Sequence, residues 1–205
     1  MSVFVTLTPP NNRQYLQELN SELASYGLAS YNFDFGRKYD YDSLPWLQLS
    51  IYDRRLIRRL KTIAVELEYN SSWTIGDESL FVDEPIIMDL VTEVFGAKES
   101  HFIWQYGFCN CFIPVDFTGG SLAKGCLKTL GSSINLVREL EELAQKLNFN
   151  LEGYTPRYTE DYQLYCDEDF EDFANNVLVD EKSLLLELYT IAVASIKNNL
   201  IMDIG

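Results

Sequence analysis

The segment from Leu184 to Ile196 constrains the fold more than any other, because it is apolar on almost every side. A helix with this composition must be covered by other elements over most of its surface. The run carries polar groups at Glu187 and Ser195 and is too short to cross a bilayer. The chain is therefore predicted to build its core around this C-terminal helix.

Four other segments repeat apolar residues at intervals of three and four, the spacing of an amphipathic helix. They cover residues 12–26, 52–67, 83–96 and 132–147. Gly27 stands where a C-terminal cap is expected, Asp83 at a helix start, and Ser132 or Ser133 at an N-cap. On the last of these helices, Glu139 is predicted to point outward.

Strand signals are shorter. Residues 3–7 alternate in side-chain type and are stopped by Pro9 and Pro10, which predicts an opening strand. Residues 101–117 are rich in aromatic and β-favouring types and break at Tyr106 and Gly107, which predicts a hairpin. The predicted fold class is α+β, with several amphipathic helices around a small, mostly antiparallel sheet, a hairpin near 101–117 and a buried C-terminal helix.

The chain has no internal repeat and no low-complexity linker. Its 205 residues are enough to bury a core without disulfide or metal support. We therefore expect a single globular domain over residues 1–205, with a weak hinge near residues 151–160.

The balance of charge is strongly acidic, with 31 Asp and Glu against 16 Lys and Arg, a net charge of −15. Residues 151–205 alone hold 12 acids and 3 bases. Nucleic acid and anionic membranes carry the same sign, so neither is expected as a partner. A basic protein is the expected partner, and a homo-oligomer stays open.

The N-terminus has no positive region and only a short apolar run before two prolines, so it does not resemble a secretory signal. Four cysteines in a chain of this length form no disulfide-rich framework. We expect a cytoplasmic protein.

The only histidine, His101, lies eight residues before Cys109, so a Cys/His nucleophile pair has to be weighed. With the hairpin turn at residues 106–107, position 101 faces position 112, and Cys109 and Cys111 point to the opposite, apolar face. A register slipped by one residue would bring His101 near Cys111. The favoured register predicts buried, unreactive cysteines and no catalytic residue.

Phosphate and metal motifs fail at their contact positions. The glycine-rich run after residue 117 has Cys126 and Leu127 where a P-loop needs Lys followed by Ser or Thr. Counted from Asp167, positions six and twelve of a calcium loop hold Asp172 and Leu178 instead of Gly and Glu. We expect no cofactor and no metal.

Two acidic features suit a basic partner. Residues 160–172 hold seven acids and no base, a pattern of a solvated face, a partner-binding surface or a carboxylate site. Aromatic residues between 31 and 46 interleave with aspartates, as in a recognition surface or a half-buried strand. The candidate partner-binding residues are Asp161, Asp167, Glu168, Asp169, Glu171, Asp172, Tyr39, Tyr41 and Trp46.

Positive charge gathers on one helix face, opposite the apolar face of residues 52–67. The basic residues on it are Arg54, Arg55, Arg58, Arg59 and Lys61. Salt bridges to the protein's own carboxylates are the favoured interpretation of the four arginines. The alternative is a docking face for a phosphate, an acidic partner or a second copy of this chain.

These observations favour a non-catalytic interaction protein of the inhibitor or immunity type, which covers a basic partner with an acidic, aromatic surface. Two alternatives remain. One is a small enzyme that uses carboxylates or the Cys/His pair, and the other is a homo-oligomeric structural protein joined through the arginine face. The sequence leans away from an enzyme, because no nucleophile, base or metal set converges.

Overall fold

The structure is a computed structural model that describes residues 3–49, 51–69, 100–102, 111–117, 130–151, 157–158, 164–165 and 178–204. The strands in this part of the chain are β1 (Val3–Thr8), β2 (Leu47–Leu49), β3 (Cys111–Ile113), β4 (Leu130–Ser132), β5 (Arg157–Tyr158), β6 (Leu164–Tyr165) and β7 (Ile201–Ile204). The helices are α1 (Arg13–Ser25), α2 (Ile51–Tyr69), α3 (Ser133–Lys146) and α4 (Val179–Asn198), with a 3-10 turn at Tyr41–Ser43.

The main sheet has the strand order β2-β1-β7-β3-β4. Strands β1 and β2, β1 and β7, and β3 and β7 pair antiparallel, whereas β3 and β4 pair parallel. Strands β5 and β6 form a separate antiparallel pair. The α+β class with a mostly antiparallel sheet is confirmed.

Strand alternation sends side chains to both faces of the main sheet, and each face is covered. Phe112 and Met202, which pair across β3 and β7, point into the core formed with α2, α3 and α4. Their strand neighbours Ile113 and Ile201 point to the other face, where Leu19 of α1 packs. The centre of the sheet is therefore buried on both sides.

The helix caps follow the sequence signals. The Asn12 side chain accepts a hydrogen bond from the Tyr15 N–H at 2.8 Å and starts α1, and Gly27 follows the helix with a φ of +71°, which glycine adopts without strain. The Ser132 hydroxyl accepts from the Asn135 N–H at 3.1 Å and starts α3. Both predicted helices are confirmed.

Helix α2 is amphipathic as predicted, with Leu60 and Ile63 fully buried. The prediction for Lys61 was wrong, because its ammonium lies 5.7 Å from the centre of the Phe102 ring instead of on the polar face. Burial lowers the pKa of Lys61 to about 8, and the nearby charge of Glu139 acts in the opposite direction. A long lysine stem can lie along apolar surface in this way.

Helix α4 is buried as predicted. Leu185, Ile191 and Ala192 have no exposed surface, and the helix packs against α3 and against the main sheet. The core therefore forms around this helix. None of the helices in the described ranges is long and apolar enough to span a membrane.

Strand β7 was not predicted, although it is the central strand of the main sheet. Helix α4 ends at Asn198. The cap residue Asn199, with a φ of +56°, turns the chain, and β7 begins two residues later. Four residues are too few to display an alternating pattern, and the strand's partners are far away in sequence. The local pattern therefore carried no strand signal.

The predicted pairing within the hairpin was wrong at the positions that can be compared. Phe112 pairs with Gly131 on one side and Met202 on the other, and His101 and Phe102 form a turn. Position 101 cannot face position 112, because strands from elsewhere occupy both edges of β3. Residues 103–110, with the predicted turn at 106–107, and the predicted helix at 83–96 lie outside the described residues.

Candidate functional site

Residues 31–46 contain a series of aromatic rings in mutual contact. Phe33 lies at its centre, with ring centroids 5.1 Å from Phe35 in an edge-on arrangement and 6.1 Å from Tyr39 in a stacked one. Tyr31 contacts Phe33 at 6.3 Å, and Tyr41 contacts Tyr39 at 5.8 Å. Each such pair contributes about 0.5–1.5 kcal/mol beyond the area that it buries. The rings form one connected row.

Hydrogen bonds attach this row to α1 and to the end of α4. The Asn20 side chain donates to the Tyr31 carbonyl at 2.9 Å and accepts from the Tyr31 N–H at 2.7 Å. The Tyr31 hydroxyl donates to the Asn199 carbonyl at 2.8 Å, and the Tyr39 hydroxyl donates to the Asn198 carbonyl at 3.2 Å. The segment is irregular in backbone but held at several points.

The outer members of the segment are on the surface. The exposed fraction is 50% for Tyr41, 39% for Trp46 and 38% for Phe35. Large exposed hydrophobic side chains among the described residues are all aromatic, and all lie in the first 46 positions: Phe4, Tyr26, Phe35, Tyr41 and Trp46. Of the three predicted contact aromatics, Tyr41 and Trp46 are exposed, whereas Tyr39 is half-buried.

Three exposed carboxylates alternate with these rings, at Asp34, Asp40 and Asp42. The Asp34 side chain accepts from the Gly36 N–H at 2.8 Å. Asp40 precedes Tyr41 as the N-cap of the 3-10 turn, and Asp42 follows Tyr41 within the turn. We define the acidic aromatic surface as six exposed residues: Asp34, Phe35, Asp40, Tyr41, Asp42 and Trp46.

Two arginines of the protein lie over rings in this segment. The Arg37 Cζ atom is 4.9 Å from the centre of the Tyr39 ring, and the Arg13 Cζ atom is 5.9 Å from the centre of the Phe35 ring. Both distances are within the range of a cation–π interaction. Burial raises the pKa of Tyr39, while the charge of Arg37 acts in the opposite direction, so the phenol is neutral at physiological pH.

The predicted acidic contact residues all lie outside the described residues. They are Asp161, Asp167, Glu168, Asp169, Glu171 and Asp172. Their role in partner binding therefore stays a prediction.

Of the four arginines predicted to form a basic face, Arg59 is the one whose side chain is described. Arg59 Nη2 lies 2.7 Å from Oε1 of Glu181, so this arginine joins α2 to the buried start of α4. This contact is the salt bridge to the protein's own carboxylates that the sequence favours. Arg54, Arg55 and Arg58 lie in α2, but their side chains are outside the described ones, and a docking role for them stays a prediction.

His101 is fully buried and engaged. The Ser132 N–H donates to its Nδ1 at 3.0 Å, and its ring packs edge-on against Phe117 at 5.1 Å. Burial lowers the pKa of His101 to about 4, so the imidazole is neutral at physiological pH. Because a backbone amide occupies the Nδ1 lone pair, this nitrogen cannot serve as the base of a Cys/His pair. Cys111 is also buried, and Cys109 lies outside the described residues.

Glu139 was predicted to point outward and instead binds the turn that carries His101. Its carboxylate accepts from the Ser100 hydroxyl at 2.5 Å, the His101 N–H at 2.6 Å and the Phe102 N–H at 3.0 Å. Desolvation raises the pKa of Glu139, and these hydrogen bonds act in the opposite direction. Within the described ranges, no three His, Cys, Asp or Glu residues form a group that could hold a metal ion.

The net charge is concentrated in two stretches of the sequence. Residues 70–99 and 152–177 together hold 15 acids and 2 bases, a net charge of −13. The rest of the chain holds 16 acids and 14 bases, a net charge of −2. Most of the protein is therefore close to neutral, and its acidity belongs to segments that make up about a quarter of the chain.

Searches of curated proteins and of solved structures each found no match. A protein-family model described as "Putative DNA-mimic protein" matches residues 8–203. This match corrects the expectation that nucleic acid has no part in the interactions of the protein. Repulsion between like charges opposes DNA as a ligand, but the same charge allows a protein to take the place of DNA on a DNA-binding protein. Because the match covers nearly the whole chain, the protein belongs to this family.

Proposed function

We propose that the protein binds a DNA-binding protein at the surface that DNA would occupy and thereby keeps DNA away from it. The observation that carries this proposal is the family match over residues 8–203. The net charge of −15 supports it, because surfaces that bind DNA are basic. The protein would then act as an inhibitor or immunity-type module for a partner of this class.

Long-range attraction would come from the acidic run. Double-stranded DNA carries one negative charge per roughly 1.7 Å of its axis, so a mimic needs closely spaced carboxylates. Residues 160–172 supply seven acids without a base. We assign to the predicted acidic residues, Asp161, Asp167, Glu168, Asp169, Glu171 and Asp172, the role of accelerating association with a basic surface.

Contact area would come from the acidic aromatic surface. Tyr and Trp are the residue types that dominate binding energy in protein interfaces, and Tyr41 and Trp46 are both exposed. Tyr39 would support Tyr41 from beneath, since its ring contacts Tyr41 and its hydroxyl binds the Asn198 carbonyl. The four cysteines, which suggest no disulfide framework, are compatible with the cytoplasm as the compartment where this partner is met.

The experiment is capture followed by displacement. The tagged protein is incubated with native cytoplasm at low and high salt, and retained proteins are identified by mass spectrometry. The retained protein is then purified and bound to a fluorescent DNA duplex, and the anisotropy is followed as the mimic is added. We expect one basic partner that is released by salt, and release of the DNA with a midpoint near one equivalent of mimic.

A variant for comparison replaces the five acids from Asp167 to Asp172 by their amides, which keeps the side-chain shapes. This variant should release the DNA only at a much higher concentration. A complex in which the partner holds the DNA and the mimic together would contradict the proposal, because the two would then occupy different surfaces.

A further inference from the structure

The aromatic rings of residues 31–46 already bind guanidinium groups, and these belong to the protein itself. Arg37 covers the ring of Tyr39 and Arg13 lies over the ring of Phe35, at 4.9 Å and 5.9 Å from the ring centres. The charge of Arg37 lowers the pKa of the Tyr39 hydroxyl, and the charge of Asp34 raises it. The Tyr39 ring therefore lies close to an arginine and is influenced by a carboxylate of the same segment.

The exposed end of the same row repeats this chemistry. Tyr41 is the most exposed of the large hydrophobic side chains described, at 50%, and its ring continues the row from Tyr39. Asp40 and Asp42 flank it in the chain, and both are exposed. An exposed ring whose two chain neighbours are carboxylates can take a guanidinium by stacking and by charge-assisted hydrogen bonds.

The segment is also held in place before any partner arrives. Asn20 binds both backbone groups of Tyr31, and the Asn199 side chain donates to the Asn32 carbonyl at 2.7 Å. The 3-10 turn is closed by Ser43, whose hydroxyl donates to the Asp40 carbonyl at 2.8 Å. A held surface loses little conformational freedom on binding, which favours affinity.

We propose that the acidic aromatic surface is an arginine-binding site, which takes guanidinium side chains of a basic protein partner at Tyr41, with Arg13 and Arg37 covering the inner rings in the free protein. This inference rests on the proposed function and narrows its partner to DNA-binding proteins whose basic surface is rich in arginine. Lysine fits less well, because its compact, strongly hydrated ammonium lacks the planar face that lies flat on a ring and the paired donors that match a carboxylate.

The test compares two peptides of equal length and charge, oligo-arginine and oligo-lysine, by fluorescence anisotropy with the full chain. We expect oligo-arginine to bind about 5-fold more tightly. Tyr41→Ala should remove most of that preference and leave oligo-lysine within about 2-fold of its original affinity. Tyr26→Ala, which removes another exposed tyrosine at the end of α1, is the control and should preserve the preference.

A second pair of variants tests the inner rings. Arg37→Gln removes the cation over Tyr39, and Lys38→Gln removes the same charge from the neighbouring exposed residue. We expect Arg37→Gln to strengthen oligo-arginine binding by about 3-fold, because it opens a ring face as well as removing a charge. An equal gain from Lys38→Gln would show a charge effect alone and would overturn the role of the rings.

Three outcomes separate this inference from the proposed function. Equal affinity for the two peptides, or a preference that survives in the folded Tyr41→Ala variant, overturns the arginine-binding site. A partner that DNA displaces, and that binds the Tyr41→Ala variant as tightly as the natural protein, supports DNA mimicry and overturns the arginine-binding site. A Tyr41-dependent preference for arginine without a DNA-displaceable partner supports the site and overturns the proposed function.

Discussion

Glu139 shows how one half-buried carboxylate can hold a turn. Its two oxygens accept hydrogen bonds from the Ser100 hydroxyl and from two successive backbone N–H groups. The charge of Lys61 also interacts with this carboxylate. A buried donor that loses its acceptor costs about 1–3 kcal/mol, and more when the acceptor was charged. The position of the turn at residues 100–102 therefore depends on this side chain.

Replacement of Glu139 by Gln should lower the free energy of unfolding by about 1–3 kcal/mol, because an amide has one acceptor oxygen where the carboxylate has two. Urea unfolding monitored by circular dichroism measures the loss. Glu142→Gln is the matched control, since Glu142 is exposed on the same helix, and it should change stability by less than about 0.5 kcal/mol. Equal effects of the two variants would remove Glu139 from this role.

His101 predicts a specific dependence of stability on pH. Burial lowers its pKa from 6.5 to about 4, so the unfolded chain binds the proton more readily than the folded one. The stability that His101 contributes is therefore complete at neutral pH and is lost as the pH falls from about 6.5 towards 4. The full effect is about 3 kcal/mol.

The measurement is the free energy of unfolding against pH for the natural protein and for His101→Asn, which keeps an acceptor for the Ser132 N–H and does not titrate. The natural protein should lose about 3 kcal/mol more than the variant between neutral pH and pH 4. The comparison is needed because the raised pKa of Glu139 has the opposite effect and favours the folded state in acid. Parallel curves would contradict the assignment.

Ser132 links a strand to a helix. Its backbone ends β4, its hydroxyl accepts from the Asn135 N–H as the N-cap of α3, and the same hydroxyl donates to the Val115 carbonyl at 2.7 Å. Its N–H also binds His101. The start of α3 and the segment after β3 therefore share one serine.

Ser132→Ala should destabilise the protein by about 1–3 kcal/mol, because it removes the helix cap and a buried hydrogen bond together. Thermal and urea unfolding both measure the effect. Ser21→Ala serves as the control, since the Ser21 hydroxyl is exposed and binds only the Gln17 carbonyl in its own helix. A loss in Ser132→Ala no larger than in the control would show that the cap contributes nothing.

The elements that the sequence predicts well are those whose signals are local. Helices α1 and α3 carry their own caps at Asn12 and Ser132, and α4 is marked by its apolar run. Strand β7 and the neighbours of β3 depend on contacts between residues far apart in the chain, which no window of sequence contains. The same distinction explains Glu139, whose partners lie 37 to 39 residues away.

The candidate surface was predicted in composition but not in geometry. The interleaving of aromatic and acidic residues between 31 and 46 is visible in the sequence, and it led to Tyr41 and Trp46. The arginines over the rings, and the anchoring of Tyr31 and Tyr39 on the end of α4, require the folded chain. The family was beyond reach because charge alone does not distinguish a mimic of DNA from any acidic binder.

The charge of the protein should govern the rate at which it associates with its partner. Replacing the five acids from Asp167 to Asp172 by amides should reduce the association rate constant by about 10-fold or more at low salt. It should also flatten the dependence of that rate on ionic strength. Stopped-flow mixing with the captured partner measures both. An unchanged rate would contradict the steering role of these residues.

The position of β7 has a consequence for the order in which the fold is completed. Strand β7 lies between β1 and β3, and Thr8 pairs with Ile201 across almost the entire length of the chain. During synthesis, β1 and β2 are available early, yet they join β3 and β4 only through residues 201–204. Contacts that span so much sequence slow folding, and unpaired strand edges expose a chain to aggregation while it waits. The N-terminal segment, in which β1 has no β7 partner until the end of synthesis, also carries the exposed aromatic rings.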